Sequence, residues 1–335
     1  MKCILCGSGR EKTAERTVIV LKKKILVLLP AKEHQKSILD QCIRESADRW
    51  ETVYTNGQTP TEEELREAAV VIGNLDPALA KHAVNMRWLQ LASAGYDAFL
   101  TPGVLPAGTV LTNASGAYGL SVSEHMLALT FAMLRRFGPY GRSQVRREWK
   151  PLGGVTAVEG STVAVLGLGD IGGSYARKMK ALGAYVIGVR KALREKPDYL
   201  DEQYTMEELS RALCRADIVA MALPGGPETH HLMDRDRLSQ IKKGAFLLNV
   251  GRGNAIEPQA LKEALRSKHL RGAALDVTEP EPLPTEDELW EMDNVILTPH
   301  VAGFLAETQQ RVVLIAADNL SRWIRGEPLR NVVSR

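Results

Sequence analysis

At 335 residues, 44% of them apolar and 25% charged, with a formal net charge of +3, the chain has the make-up of a soluble globular protein with room for two cores. That balance gives no bulk electrostatic reason to expect nucleic acid or a membrane surface as partner, and no apolar run approaches the roughly 18 residues of a membrane span. Four cysteines (Cys3, Cys6, Cys42 and Cys214) are too few and too scattered for a disulfide framework, so a cytoplasmic location is expected.

Residues 1–22 read as a polar, poorly patterned leader. Its one apolar stretch is interrupted by Lys22-Lys23-Lys24, which makes a poor signal peptide. Cys3-x-x-Cys6 has no second pair and no nearby His, so two free thiols are expected. From Lys24 the pattern becomes βα. Strands are predicted at 25–29, 70–73, 88–92 and 110–113, with helices at about 33–46, 61–68 and 76–85 between the first three. A long helix is expected over 122–137, with Ser121 as its cap. Gly138, Pro139, Pro151, Gly153 and Gly154 then mark a loop-rich connection.

Residues 162–172, TVAVLGLGDIG, run from a short apolar strand into Gly167-Leu168-Gly169-Asp170-Ile171-Gly172 and on into a helical pattern. This is the opening of a dinucleotide-binding βαβ unit. Gly167 permits the tight turn, Gly169 lets backbone approach a pyrophosphate, and Gly172 lets helix and strand pack closely. The helix N-terminus offers unpaired N–H groups to the phosphates. Further strands are predicted near 185–189, 217–223, 245–250, 272–276 and 294–298, and helices near 170–182, 206–214, 235–242, 258–268 and 286–291. Six strands with crossover helices imply an α/β fold with a doubly wound parallel sheet. A last long helix, 305–325, is spare to that sheet. It is expected to return to the first domain, so that the cofactor domain is an insertion hinged near 121 and 303.

In open α/β sheets ligands bind beyond the carboxyl ends of the strands. The second strand of this series ends in Arg190 and Lys191, with Arg194 following, where an NAD-preferring site would carry an acid. A guanidinium suits a 2′-phosphate and cannot accept from a ribose hydroxyl, so NADP is expected over NAD. The third ends in Leu223-Pro224, with Thr229 beyond, and can pass beneath a ribose or phosphate. The fourth ends Val250-Gly251-Arg252-Gly253, which makes Arg252 a candidate anion clamp. The fifth leads through Asp276 to Glu281 in a proline-framed turn. The sixth ends at His300, followed by Ala302 and Gly303; a histidine here can act as general acid or base, oriented by a nearby carboxylate. His125, within the long helix, is expected to pack or to serve the hinge. His230 and His231 invite a metal reading, but no cysteine or carboxylate cluster at ligand spacing supports it, so no metal is expected. There is no GxSxG elbow.

GLGDIG, NVGRG with Arg252, LDVTEPEP with Asp276 and Glu281, and TPHVAG with His300 together resemble the D-isomer-specific 2-hydroxyacid dehydrogenase family over residues 24–330. The resemblance implies two Rossmann-like or flavodoxin-like domains with doubly wound parallel sheets. Residues 23–121 and 304–335 would form the substrate domain, and 122–303 the inserted dinucleotide-binding domain. It implies Arg252, Glu281 and His300 as the catalytic trio, with Asp276 at the nicotinamide. Glu281 argues against formate dehydrogenase relatives, which carry a glutamine there. Leu91–Asp97 matches the family's substrate loop, so the N–H groups of Ala94 and Gly95 would grip a carboxylate and Tyr96 would wall the pocket. Trp149 is similar to a tryptophan that some members pass across a homodimer interface.

The expected activity is reduction of a small 2-oxoacid, glyoxylate- or hydroxypyruvate-like, to the (R)-2-hydroxyacid by hydride transfer from NAD(P)H. Two other readings stand beside it: a corepressor-like protein of the same fold that senses NAD(H), and an NAD-linked dehydrogenase of a larger 2-oxoacid.

Overall fold

The computed structural model describes residues 23–44, 46 and 50–334; the leader and its Cys3-x-x-Cys6 pair lie outside them. Two parallel sheets organise the chain. The first holds β1 (Lys23–Val27), β2 (Trp50–Tyr54), β3 (Ala68–Ile72), β4 (Trp88–Gln90) and β5 (Val110–Thr112) in the order β2-β1-β3-β4-β5. Helices α1 (Glu33–Arg44) and α2 (Glu62–Glu67) provide crossovers. A capping box between Thr61 and Glu64 starts α2.

β2 is a strand the apolar pattern does not announce. It is an edge strand, paired on one side only, and none of its five residues is fully buried. The helix expected over 76–85 is a single 3₁₀ turn, Ala80–His82, within a run of turns. Ala80, Ala83 and Met86 are buried at helix-like spacing, but the N–H groups here bond three residues back rather than four.

The second sheet has seven strands rather than six: β6 (Thr162–Leu166), β7 (Tyr185–Arg190), β8 (Glu202–Thr205), β9 (Ile218–Met221), β10 (Ala245–Asn249), β11 (Leu270–Leu275) and β12 (Val295–Leu297). Their order is β12-β11-β10-β9-β6-β7-β8. The order reverses between β9 and β6, which puts a crevice at their carboxyl ends. β8 is the unexpected member, again an edge.

Among the described residues seven helices accompany this sheet and its return. They are α3 (Gly119–Leu134), α4 (Phe137–Val145), α5 (Asp170–Ala181), α6 (Leu209–Leu213), α7 (Arg235–Gln240), α8 (Pro258–Arg266) and α9 (Ala306–Arg325). α3 begins two residues before Ser121, which is therefore not its cap; the Ser121 hydroxyl donates to the Tyr118 carbonyl from inside the first turn. α4 replaces the start of the expected loop. Gly138 and Pro139 lie in its first turn, where a missing N–H costs no helical hydrogen bond. The expected helix at 286–291 is one 3₁₀ turn, Glu288–Trp290, capped by Asp287.

α3 packs on α5, with Met126, Leu129 and Met133 against Tyr175 and Met179, and this cluster continues into Val163 and Val165 of β6. α9 returns to the first sheet, where Val313, Ala316 and Leu320 are fully buried beside Ile25, Val27, Leu39 and Trp88. The tail then bridges Val332 to Thr112 and covers the open edge of β5. A hydrogen bond from Thr308 to Ser121, 3.1 Å, ties the two chain crossings together. Among the described residues no helix is long and apolar enough to cross a membrane.

Candidate active site

The carboxyl ends of both sheets open on one cleft of about 520 Å³. From the first lobe come Ser93 to Phe99, after β4. From the second come Ile171, Val250, Arg252, Asp276, His300, Ala302 and Gly303.

The loop after β4 is built to leave amides free. Asn74, just past β3, accepts from the N–H groups of Ala92 and Ser93 at 3.0 and 3.1 Å. The carbonyls of Ala94 and Gly95 are taken by the Asn113 amide and the Ser93 hydroxyl, each at 2.7 Å. The N–H groups of Ala94, Gly95 and Tyr96 have no acceptor among the described residues. Three successive unpaired N–H groups are thus available to an anion. Gly95 is required for a second reason: a Cβ there would lie 1.7 Å from Nη2 of Arg252, so the guanidinium rests directly on this loop.

Arg252 follows β10 and is braced from both lobes. Asn249 donates to its carbonyl at 2.9 Å and accepts from the N–H of Gly251 at 3.0 Å, closing the turn. Asp97, on the other lobe, accepts from Nε at 2.8 Å. Gly225 leaves room for that carboxylate, since a Cβ there would come within 2.1 Å of it. The Leu91–Asp97 motif contains Asp97, but no pattern in the sequence marks it, Asn74 or Asn249 as a brace.

His300 follows β12 with φ of +53°, a left-handed conformation that costs a non-glycine residue on the order of 1 kcal/mol. Its N–H is held by the Asp276 carbonyl at 2.8 Å. This turn aims Nδ1 at Glu281 Oε1, 2.6 Å away, leaving Nε2 without a partner among the described residues. Glu281 itself faces a second, mostly apolar cavity of about 350 Å³ that shares His300 and Asp276 with the cleft. Asp276 is buried and accepts from the Thr298 hydroxyl (2.6 Å) and from the N–H groups of Val301 (3.0 Å) and Ala302 (3.1 Å). It staples the turn under His300. His125 reaches the same cluster, with Nε2 3.1 Å from the Thr298 hydroxyl and 3.6 Å from Oδ1 of Asp276.

The glycine loop fits a dinucleotide. Gly167 has φ of +92°, and a Cβ on Gly172 would lie 1.8 Å from the Gly167 carbonyl. A Cβ on Gly169 would meet nothing within 4 Å, and no side chain caps α5 there. The helix start is therefore open to a phosphate. Leu168 packs over Gly188. The Asp170 side chain points elsewhere: its carboxylate accepts from the Gly119 N–H at 2.6 Å, at the start of α3, so only its backbone remains for a phosphate.

Arg190 ends β7 half-buried, with no ion pair among the described residues, and Arg194 is exposed beyond it. Lys191 is paired with Glu228 at 2.8 Å. Thr229 bonds the carbonyls of Pro224 and Gly226 and so knits its own loop. Leu223 backbone atoms crowd Gly251. His230 and His231 are not without a carboxylate, as the linear sequence suggested: Glu279 comes from the turn after β11 to meet both.

Residues 127–302 match the NAD binding domain of the D-isomer specific 2-hydroxyacid dehydrogenases. A glyoxylate reductase of Thermofilum pendens is 31% identical over 259 residues, 76% of each chain. The chain belongs to this family. It is an NAD(P)-dependent dehydrogenase or reductase of 2-hydroxyacids. A D-3-phosphoglycerate dehydrogenase of Methanocaldococcus jannaschii is 30% identical over 93% of this chain, which spans 59% of that protein. A D-isomer specific 2-hydroxyacid dehydrogenase of Xanthobacter autotrophicus, solved with NADPH and MES, superposes with a TM-score of 0.78 at 27% identity, over 94% of this chain and 98% of that one.

Proposed function

We propose that the protein reduces a small 2-oxoacid, glyoxylate or hydroxypyruvate in kind, to the (R)-2-hydroxyacid with NADPH. The observation that carries this reading is the convergence on one cleft of His300, bonded from behind by Glu281, the Arg252 guanidinium and the loop of residues 94–96 with its three unpaired amides. The amides and Arg252 bind the substrate carboxylate, and Tyr96 walls the pocket. Arg252 polarises the ketone and stabilises negative charge growing on its oxygen. The glycine loop, with Asp276, Ala302 and Gly303, would hold the cofactor, whose nicotinamide would supply the hydride. His300 gives its proton from Nε2 to the oxygen, and Glu281 holds the ring on Nδ1.

Arg190 supports the choice of NADP, since it is a cation without an ion pair among the described residues at the strand end where a 2′-phosphate would sit. The substrate domain is residues 23–121 with 304–335, and the dinucleotide domain is 122–303. Free Cys42 and Cys214 suit a reducing cytoplasm. Exposed Phe137, Val145 and Trp149 suit a homodimer.

The test is a panel of 2-oxoacids assayed with NADH and with NADPH. Turnover of glyoxylate or hydroxypyruvate with NADPH is expected, and His300→Ala should lower the rate by about 10²–10⁴. Oxidation of neither cofactor with any acid overturns the proposal.

A further inference from the structure

Outside the cleft, two strand-end loops meet over a cluster of donors that the reaction does not use. His230 and His231 lie in the loop after β9, and Glu279 in the turn after β11. In extended chain, neighbouring side chains point to opposite sides. His231 instead has φ of +46°, and the two imidazoles stack with centroids 4.0 Å apart and planes 24° from parallel. Both present Nε2 to one carboxylate. That of His231 is 2.7 Å from Oε2 of Glu279, and that of His230 is 3.9 Å from Oε1. Ligand atoms of all three residues lie within 4.8 Å of one another.

We propose that His230, His231 and Glu279 form a binding site for a divalent transition-metal ion of the zinc type. Two imidazoles and a carboxylate are the donor set of zinc, cobalt or nickel, whereas magnesium and calcium take oxygen ligands. The ion would replace the His231–Glu279 hydrogen bond and draw His230 inward by a small ring movement. The three side chains are between a third and a half exposed, so entry is open and a fourth position remains for water.

The site joins loops that share no other side-chain bond at this point among the described residues. Glu279 precedes Glu281 by two residues, with Pro280 between, so the ion tethers the turn that carries Glu281 to the loop after β9. That consequence rests on the proposed reaction; the ion site does not.

Titration of the untagged full chain with Co²⁺, followed by visible absorption and calorimetry, tests the site without reference to turnover. One ion per chain is expected, with no thiolate-to-cobalt charge-transfer band. His230→Ala and Glu279→Gln should each weaken binding by about tenfold or more, with circular dichroism unchanged, while the Cys3→Ser/Cys6→Ser double variant binds as the parent does. Binding that survives in Glu279→Gln, binding lost with the two cysteines, or no saturable binding at all overturns the proposal.

Discussion

Arg252 would be misplaced without a residue from the opposite lobe. Its Nε is held by Asp97 at 2.8 Å and its Nη1 by the Gly251 carbonyl at 2.8 Å, which leaves Nη2 over the Gly95 loop. Asp97→Asn removes the charged half of that bond. A hydrogen bond between charged groups is worth about 1.5–3 kcal/mol, so kcat/KM should fall about tenfold to a hundredfold. Unchanged steady-state kinetics in this variant would show that Arg252 orients itself. The contrast with His300, Glu281 and Arg252 explains what the sequence makes legible. Those three are functional groups placed at strand ends beside proline or glycine, and their type announces their chemistry. Asp97, Asn74 and Asn249 act by bracing other groups. Which amide or guanidinium each one meets is decided by tertiary packing, so nothing local distinguishes them from ordinary loop residues.

Among the elements, the glycine loop and the edge strands behave in opposite ways. The loop's geometry follows from its glycines, and two of them separate folding from binding. A Cβ on Gly172 collides with a backbone carbonyl, so Gly172→Ala should lower the melting temperature by about 5 °C or more. A Cβ on Gly169 meets only open space, and its φ of −78° suits alanine. Gly169→Ala should therefore melt like the parent yet bind dinucleotide weakly, which thermal melting and cofactor fluorescence titration together decide.

β8 and β2 escaped the apolar pattern because edge strands need not bury either face. Tyr204 is the one buried residue of β8, and polar bonds hold the strand around it. Glu202 takes two bonds from Arg215, 2.7 and 2.8 Å, and one each from Tyr185 and Tyr204. These partners, Arg215 first, hold its carboxyl at about 2, below the ordinary 4.5. Because the folded-state value is the lower one, the stabilisation is complete above about pH 4.5 and is lost as the pH falls toward 2. Glu202→Gln should cost about 1–2 kcal/mol at neutral pH and flatten the acid limb of stability between those values. Urea midpoints measured from pH 7 to pH 2.5 check both. The helices read at 76–85 and 286–291 failed for a related reason: buried residues at helical spacing occur in consecutive turns as well. Pro139, conversely, concealed α4 because a proline in a first turn does not break a helix.

For the whole molecule, the return of α9 was legible from a helix left over after the last strand, and the structure seats it on α1. Phe137, Val145 and Trp149 stand 62%, 85% and 103% exposed along α4 and the segment after it, an apolar cost that a second copy would remove. Sedimentation at micromolar concentration should give twice the 36.8 kDa chain mass. Replacing Trp149 with alanine should shift the balance toward the single chain at dilution, and a parent that sediments at 36.8 kDa throughout would refute the dimer.

One bond links the two lobes' business more directly. Asp170 stands inside the phosphate loop, and its carboxylate closes on the first N–H of α3, the helix by which the chain enters the second lobe. A negative charge in that place would oppose an incoming pyrophosphate. Here it is offset by the positive end of a helix, which also lends α3 the cap its own sequence withholds. The carboxylate thereby ties the phosphate loop to the segment where the chain crosses between the lobes.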